Sequence, residues 1–127
     1  MAGKSDYFEN AVLNTLRNVS LAVANVYVAL FTTLPGEDAT GGVEVSGGGY
    51  AREAVTFNAP AAGSMTSAAD VVFPQATAGW GTVVGFGLYD AASGGNLLYF
   101  NNLTTSKQID SGDQLKFPAG AINILEQ

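Results

Sequence analysis

The stretch from Trp80 to Asp90, WGTVVGFGLYD, constrains the fold more strongly than any other part of the chain. Its residues alternate in character with a period of two, which is the period of a β-strand and not that of a helix. One face carries Trp80, Thr82, Val84, Phe86 and Leu88, and the other carries Gly81, Val83, Gly85 and Gly87. Because a strand face without side chains lets a backbone or a large ring come close, we expect aromatic rings of a facing strand to lie over these glycines.

Other segments have strand-like patterns separated by turn residues. VYVALFTT, from Val26 to Thr33, carries β-branched and aromatic residues on both faces, which suits a central strand buried on both sides. Further strands are predicted at Tyr50–Phe57, in ADVVFP from residue 69, in NLLYFNN from residue 96 and, as two short strands, in QLKFPAGAINIL from residue 114. The AASGG turn before NLLYFNN predicts a hairpin. LPGEDATGG, from residue 34, is expected to be a mobile loop, and NAPAAGSMTSAA, from residue 58, a loop of small residues.

The segment SDYFENAVLNTLRN, from residue 5, predicts a short helix near the amino terminus. Asp6 is expected to cap it, with Glu9 three residues later as in a capping box. A helical period places four apolar residues on one face, namely Phe8, Val12, Leu13 and Leu16. We expect this face to cover the end or edge of a sheet in its own chain, with docking on a neighbouring subunit as the alternative.

Many short strands, frequent turns and one terminal helix predict the fold class. We expect an all-β fold, an antiparallel β-sandwich or barrel (jelly-roll-like) with a short N-terminal helix. A chain of 127 residues has the usual size of one domain. Residues 1–20 are therefore predicted to form an N-terminal arm and helix, and residues 21–127 a single β-sandwich domain.

The composition argues against several classes of protein. The chain has no cysteine and no histidine, which excludes disulfides, thiolate catalysis, the usual zinc sites and any mechanism that uses imidazole. A net charge of −6 without a basic stripe argues against direct nucleic-acid binding. No apolar run approaches the roughly 20 residues of a membrane span, and the amino terminus lacks the apolar core of a secretion signal. We expect no membrane association, and synthesis and folding in a cytoplasm.

The glycine-rich segment VSGGGYAREAV, from Val45 to Val55, does not match a phosphate-binding loop. Such a loop needs a lysine, then serine or threonine, and a following helix. Here Tyr50-Ala51-Arg52 and a strand-like run follow, so we interpret Gly47–Gly49 as a flexible joint into a strand. The carboxylates are scattered through loop-like segments, and EDATGG lacks the alternating oxygen ligands of an EF-hand. We therefore expect no catalytic residue, no cofactor site and no metal ligand, and we expect that the protein is not an enzyme.

Trp80 and the tyrosines leave one further binding function open. Aromatic residues at alternating strand positions are mostly core residues, and this is the interpretation we favour. The alternative is a sugar-stacking platform, as in a carbohydrate-binding module. That alternative requires Trp80 to be exposed in a groove.

Four segments together resemble small virion proteins of tailed bacteriophages and prophages. They are SDYFENAVLN, VYVALFTTLPGEDATGGVEVSGGGYAREAVTF, ADVVFPQATAGWGTVVGFGLYDAASGGNLLYF and LTTSKQIDSGDQLKFPAG, and they cover nearly the whole chain. EVSGGGYAR and WGTVVGFGLYDAASGGNLLY carry most of the specificity. Such proteins are often labelled tail-fibre-like, and similar small β-proteins serve as capsid decoration or cement proteins. The resemblance implies a structural protein of the virion, assembled in the bacterial host cytoplasm.

Two locations on the particle follow from this resemblance. The one we expect first is the capsid surface, where a decoration protein binds the major capsid protein and stabilises the assembled head, usually as a homo-oligomer such as a trimer. The alternative is a tail or tail-fibre-associated structural protein with tail proteins as partners, and a carbohydrate-binding module is more remote. The candidate contacts are Lys4, Tyr7 and Phe8 near the amino terminus, and Glu37 and Asp38 in the acidic loop from Pro35 to Gly42.

Overall fold

The structure, a computed structural model, describes residues 3–21, 23 and 25–125. Within them one α-helix, α1 (Asp6–Asn14), runs into a short 3-10 turn, Thr15–Arg17. The strands are β1 (Gly3–Lys4), β2 (Val26–Thr33), β3 (Val43–Glu44), β4 (Glu53–Val55), β5 (Ser64–Thr66), β6 (Val71–Val72), β7 (Gly81–Tyr89), β8 (Leu97–Ile109), β9 (Lys116–Phe117) and β10 (Asn123–Leu125). The helix is too short to cross a membrane, and no other helix of the described residues is long and apolar enough to do so.

The strands form one large antiparallel sheet and two small ones. The large sheet has the order β1-β8-β7-β2-β3, with β4 also paired to β2. The small sheets are β10-β5 and β6-β9, and their residues share one apolar core with β2 and β7. The sheets do not close on each other. The predicted antiparallel sandwich with a short N-terminal helix is therefore confirmed, whereas the barrel is not formed. One predicted loop, from residue 58, contains β5, which pairs with β10 at the end of the chain.

The core lies between the large sheet and the segments that carry β5, β6, β9 and β10. Its largest members come from distant parts of the sequence because each strand contributes only every second residue. They include Leu30, Phe73, Trp80, Phe86, Leu98, Phe117 and Ile122. Phe117 packs edge-on against both Phe73 and Phe86, with ring centroids 6.2 and 5.8 Å apart. These aromatic contacts hold the small sheets against the large one.

The glycines of β7 allow close approach, as predicted, but the neighbours differ from those expected. A methyl group added at Gly87 would lie 2.9 Å from the Phe31 ring, and one added at Gly85 would lie 2.6 Å from the carbonyl oxygen of Asn101. Phe31 belongs to β2 and Asn101 to β8, and these are the two strands on either side of β7 in the same sheet. The expectation of rings from a facing strand was therefore wrong. The space is used by neighbours within the sheet.

The alternation of β7 changes face at Val84. The pairing of β7 with β8 shifts there, because Val83 lies opposite Lys107 and Gly85 lies opposite Asn102. Four residues of β8 thus face one residue of β7, an irregularity that interrupts the alternation. In consequence Val83, and not Val84, is fully buried in the core with Phe86.

The helix begins one residue earlier than predicted. Ser5, and not Asp6, is the N-cap, because its hydroxyl accepts the N–H of Phe8 at 3.2 Å while it donates to the carbonyl of Leu97 in β8. Phe8 packs edge-on against Tyr99, with ring centroids 5.3 Å apart. Two members of the predicted apolar face do not pack on the sheet, since Leu13 is 60% exposed and Leu16 84%. The division of the chain at residue 20 stays a prediction.

Candidate protein interface

The structure brings the two predicted contact regions together. The backbone N–H of Asp6, at the start of α1, donates to the carbonyl of Glu37 at 2.7 Å. Tyr7, Glu37 and Asp38 line one cleft of about 400 Å³ beside the β7–β8 hairpin. Lys4 and Glu37 line a neighbouring cleft of about 280 Å³. Four of the five predicted contact residues, Lys4, Tyr7, Glu37 and Asp38, thus lie on one surface, although they are far apart in the sequence.

The acidic loop between β2 and β3, expected to be mobile, contains a hydrogen-bonded turn. The N–H of Gly36 donates to the carbonyl of Thr40, and the N–H of Ala39 to that of Gly36, both at 3.0 Å. The Asp38 carboxylate accepts the hydroxyl of Thr40 at 2.7 Å and its N–H at 3.1 Å. These hydrogen bonds, the hydroxyl's first, lower the pKa of Asp38. The turn therefore presents an ionised carboxylate at a fixed place.

Four acids meet at this surface, which we call the acidic corner: Asp6, Glu9, Glu37 and Asp38. Carboxylate oxygens of Asp6, Glu9 and Glu37 lie within 4.8 Å of one another. Such a spacing could hold a cation, yet exposed acids commonly have it without one, so the cluster by itself does not indicate a metal centre. What the corner supplies is concentrated negative charge, which favours partners that carry Lys or Arg. Sequence reasoning missed the cluster because Glu37 reaches it only through the fold.

Apolar side chains flank the acidic corner. Tyr7 is 48% exposed, whereas Phe8 is half-buried against Tyr99 and belongs to the rim of the core. More apolar residues stay exposed along the chain after α1 begins, namely Leu13, Leu16, Val19, Leu21 and Val23. The mixture of an exposed aromatic ring, aliphatic side chains and charge is typical of a protein interface.

Arg52 of the glycine-rich segment is fully engaged inside the protein. Its guanidinium donates twice to the Glu44 carboxylate, each time at 2.9 Å, and twice more to backbone carbonyls, at 3.0 Å to Ala91 and 2.7 Å to Gly94. It also lies 3.8 Å from the centroid of the Tyr89 ring. One side chain therefore ties β3 to the turn of the β7–β8 hairpin.

Tyr50 extends the same network toward the core. Its hydroxyl donates to Glu44 at 2.6 Å and accepts the backbone N–H of Leu30 at 3.0 Å. Its ring stacks on Phe73 and meets the Trp80 ring edge-on. Burial and the hydrogen bond to Glu44 raise the pKa of Tyr50 far above its usual range, so it stays a neutral donor. The glycine-rich segment is thus structural, as predicted, and it packs on the sheet of its own chain through Tyr50.

Trp80 is hydrogen-bonded to the glycine triplet at the start of this segment. Gly47, Gly48 and Gly49 have φ angles of 74°, 58° and 81°, a region that suits glycine and disfavours other residues. The indole N–H of Trp80 donates to the carbonyl of Gly48 at 3.0 Å, and Trp80 is only 5% exposed. Trp80 is therefore a core residue, as the favoured interpretation held, and the exposed aromatic groove of a carbohydrate-binding module is not formed around it.

Protonation of Glu44 is expected to destabilise the protein at acid pH. Burial raises the pKa of Glu44, but the hydrogen bonds from Arg52 and Tyr50 and the charge of Arg52 outweigh it, so the pKa lies below its usual value. The unfolded chain therefore binds this proton more readily, with a pKa of about 4.3. The stabilisation by Glu44 is present above that pH and is lost as the pH falls through the lower pKa of the folded state.

We expect the free energy of unfolding to fall below about pH 4, and to fall less in the variant Glu44→Gln, which has no proton to take up there. Urea titrations of both proteins at a series of pH values measure this difference. Asp38 and Asp90, whose pKa values are also lowered, contribute equally to both proteins. Parallel pH profiles for the two proteins would contradict the assignment to Glu44.

A protein-family model described as Podophage GP4 fiber I protein gp80 matches residues 3–125 of the chain. A search among curated proteins found no match. The matched range includes the acidic corner, the glycine-rich segment and every strand described above.

Proposed function

Because this chain belongs to the Podophage GP4 fiber I protein gp80 family, we propose that it is a fibre-associated structural protein on the tail of a phage particle. The family is one of phage fibre proteins, so the chain is a structural protein of a virion. The observation that carries the finer assignment is the match over residues 3–125, nearly the whole chain, to a family whose description names a fibre.

The family match favours the tail over the head. The capsid decoration role that we expected first has no support beyond the general resemblance to small virion proteins, whereas the matched family carries the word fibre in its description. We therefore place the tail-fibre role ahead of the decoration role. Both roles need a surface that binds the assembled particle. Binding to the assembled form and not to its separate subunits shifts the equilibrium toward assembly.

The acidic corner and Tyr7 are the surface that we assign to this attachment. The carboxylates favour a tail protein with Lys or Arg at the contact, and Tyr7 supplies an exposed ring of the kind that often dominates binding energy. Lys4, Phe8, Glu37 and Asp38 complete the contact, with Phe8 acting through the position of α1 against Tyr99. We therefore expect the partner tail protein to carry Lys or Arg and apolar side chains at the contact.

The same structure supports a role without catalysis. Each buried side-chain nitrogen or oxygen of the described residues has a hydrogen-bond partner. Among the more buried ionisable groups, Glu44, Tyr50 and Arg52 are joined by hydrogen bonds, and the Tyr89 ring lies against the Arg52 guanidinium. We propose that their function is to hold the fold.

Labelling of intact particles tests the location. Particles that carry an epitope-tagged copy of this protein are imaged with a gold-conjugated antibody. The tail-fibre role predicts a few labels at the single tail vertex, and a label spread over the whole icosahedral surface would support the decoration role instead. Particles without label at either place would contradict both roles.

Variants at the corner test the contact. We expect Tyr7→Ala combined with Glu37→Gln to lower the affinity for tailed particles about tenfold or more, because a hot-spot ring and a charge are lost. The measurement is the amount of purified protein that sediments with particles lacking their own copy. Val72→Ala is the matched control, since Val72 is also exposed, by 41%, but lies on β6 away from the corner. Equal co-sedimentation of both variants would remove the corner from the interface.

A further inference from the structure

Strand β8 has an open outer edge. β7 runs along one side of β8, whereas on the other side β1 pairs only with Tyr99 and Phe100. No strand of the described chain covers the outer side of residues 101–109. An uncovered edge strand presents backbone N–H and C=O groups that can pair with another chain.

The open segment, NNLTTSKQI, has two features that usually protect an edge, a lysine and an irregular register, but it has no proline and no covering strand of the described chain. It contains no proline and one charged residue, Lys107, and most of its side chains are exposed and uncharged. Within it Leu103–Ser106 lie opposite the single residue Val84, so β7 cannot pair all of their backbone groups. Part of this segment therefore has no residue of β7 directly opposite it.

The charge changes sign along this edge. Two clefts border it, and they share Phe86, Asn101 and Asn123 as lining residues. The cleft at the β1 end is lined by Glu9 and Glu37 of the acidic corner, together with Lys4, and the cleft at the other end by Lys107 and Lys116. Lys116 lies 3.6 Å from Asp70, whereas Lys107 has no ion pair with another described residue. The edge is thus acidic at one end and basic at the other.

We propose that the open edge of β8 docks a second copy of this chain, with the two β8 strands antiparallel about a two-fold axis. An antiparallel arrangement brings the acidic end of each copy to the lysine end of the other, so the charge complementarity occurs twice. A parallel arrangement would bring like charges together. Because the charges of this edge are complementary to those of the same edge turned around, a second copy of the chain is the partner that fits it.

The existing pairing with β1 fixes where the second copy lies. If the two-fold axis passes between Thr104 and Thr105, Asn102 of each copy faces Lys107 of the other. β1 then stays paired with Tyr99 and Phe100, and the β8 strand of the second copy lies next to it along the same edge of β8. This inference goes beyond the attachment to the tail, because it concerns two copies of the chain and is measured without any phage particle.

Sedimentation velocity of the purified full chain over a range of concentrations tests the proposal. We expect a species of twice the 13.0 kDa monomer mass that weakens as salt is raised. Lys107→Glu and Glu9→Lys should each weaken dimerisation about tenfold, because each reverses a charge at both symmetric contacts. The double variant carries both reversals and should restore the wild-type dissociation constant within about threefold.

Arg17→Glu is the matched control for the lysine variant, since it makes the same charge change at an exposed residue outside the edge. Circular dichroism of each variant verifies folding. If a variant fails to fold, hydrogen exchange of the wild type decides: amides of residues 101–108 should gain protection as concentration rises. A monomer at all concentrations, a trimer, or a dimer indifferent to both charge reversals would overturn the proposal.

Discussion

Replacing Arg52 with alanine is expected to lower the free energy of unfolding by about 3 kcal/mol, because it breaks a largely buried ion pair from one side. The Arg52 side chain is 7% exposed and that of Glu44 27%. Without the guanidinium, Glu44 keeps only the Tyr50 hydroxyl as a donor, and the carbonyls of Ala91 and Gly94 lose theirs. Arg52→Lys should recover less than half of the loss, since an ammonium group cannot reproduce the planar fork.

Urea denaturation followed by fluorescence measures this effect, and Trp80 is the single tryptophan of the chain. Arg17→Ala is the control, because Arg17 is exposed and bonds to the side chain of Asn14 at the surface. We expect that control to stay within about 0.5 kcal/mol of the wild type. A loss of less than about 1 kcal/mol in Arg52→Ala would mean that the network contributes little to the fold.

Gly85→Ala is expected to be as damaging, at about 3 kcal/mol, through overpacking and not through loss of an interaction. The added methyl group would lie 2.5 Å from a methyl of Leu34 and 2.6 Å from the carbonyl oxygen of Asn101. The Leu34 side chain can rotate away, but the Asn101 carbonyl is fixed by the pairing of β8 with β7. The strands must therefore move apart at the centre of the large sheet.

Gly79→Ala provides a matched control just before the same strand. There the added methyl group would meet the Ile109 carbonyl oxygen at 3.7 Å, an ordinary contact. Because alanine also restricts the unfolded chain, we expect this variant to be neutral or more stable by up to about 1 kcal/mol. The difference between the two variants in urea titrations isolates the close approach at Gly85. Similar stabilities would show that the sheet accommodates a methyl group there.

Local patterns predicted most of the fold. The alternation at Trp80–Asp90 and the apolar run at Val26–Thr33 both predicted strands, and these became β7 and β2 at the centre of the large sheet. The period of two depends only on backbone geometry, which is why it can be read without knowing any partner. The face change at Val84 could not be predicted in the same way. It arises from the length of chain that β8 places opposite β7.

The residues of the candidate surface were predicted as two separate segments, and only the folded structure shows that the segments are in contact. Tyr7 and Glu37 were each chosen from local composition, but their closeness depends on the bond between the Asp6 N–H and the Glu37 carbonyl, which links residues far apart in sequence. The role of Arg52 was also hidden, since two of its partners, Ala91 and Gly94, follow it by about forty residues. The preference for the head over the tail had no residue-level basis, because both locations ask only for a binding surface.

The sheet order has a consequence for how the protein reaches its native state. β2, at Val26–Thr33, has its most extensive pairing with β7, at Gly81–Tyr89, and β7 in turn pairs with β8. During synthesis β2 therefore leaves the ribosome well before its main partner, and the large sheet cannot close until most of the chain has been made. Pairing over such sequence distances gives folding times of milliseconds to seconds and not microseconds. Until then β2, an eight-residue strand rich in apolar residues, is a segment that a chaperone or a neighbouring nascent chain would meet.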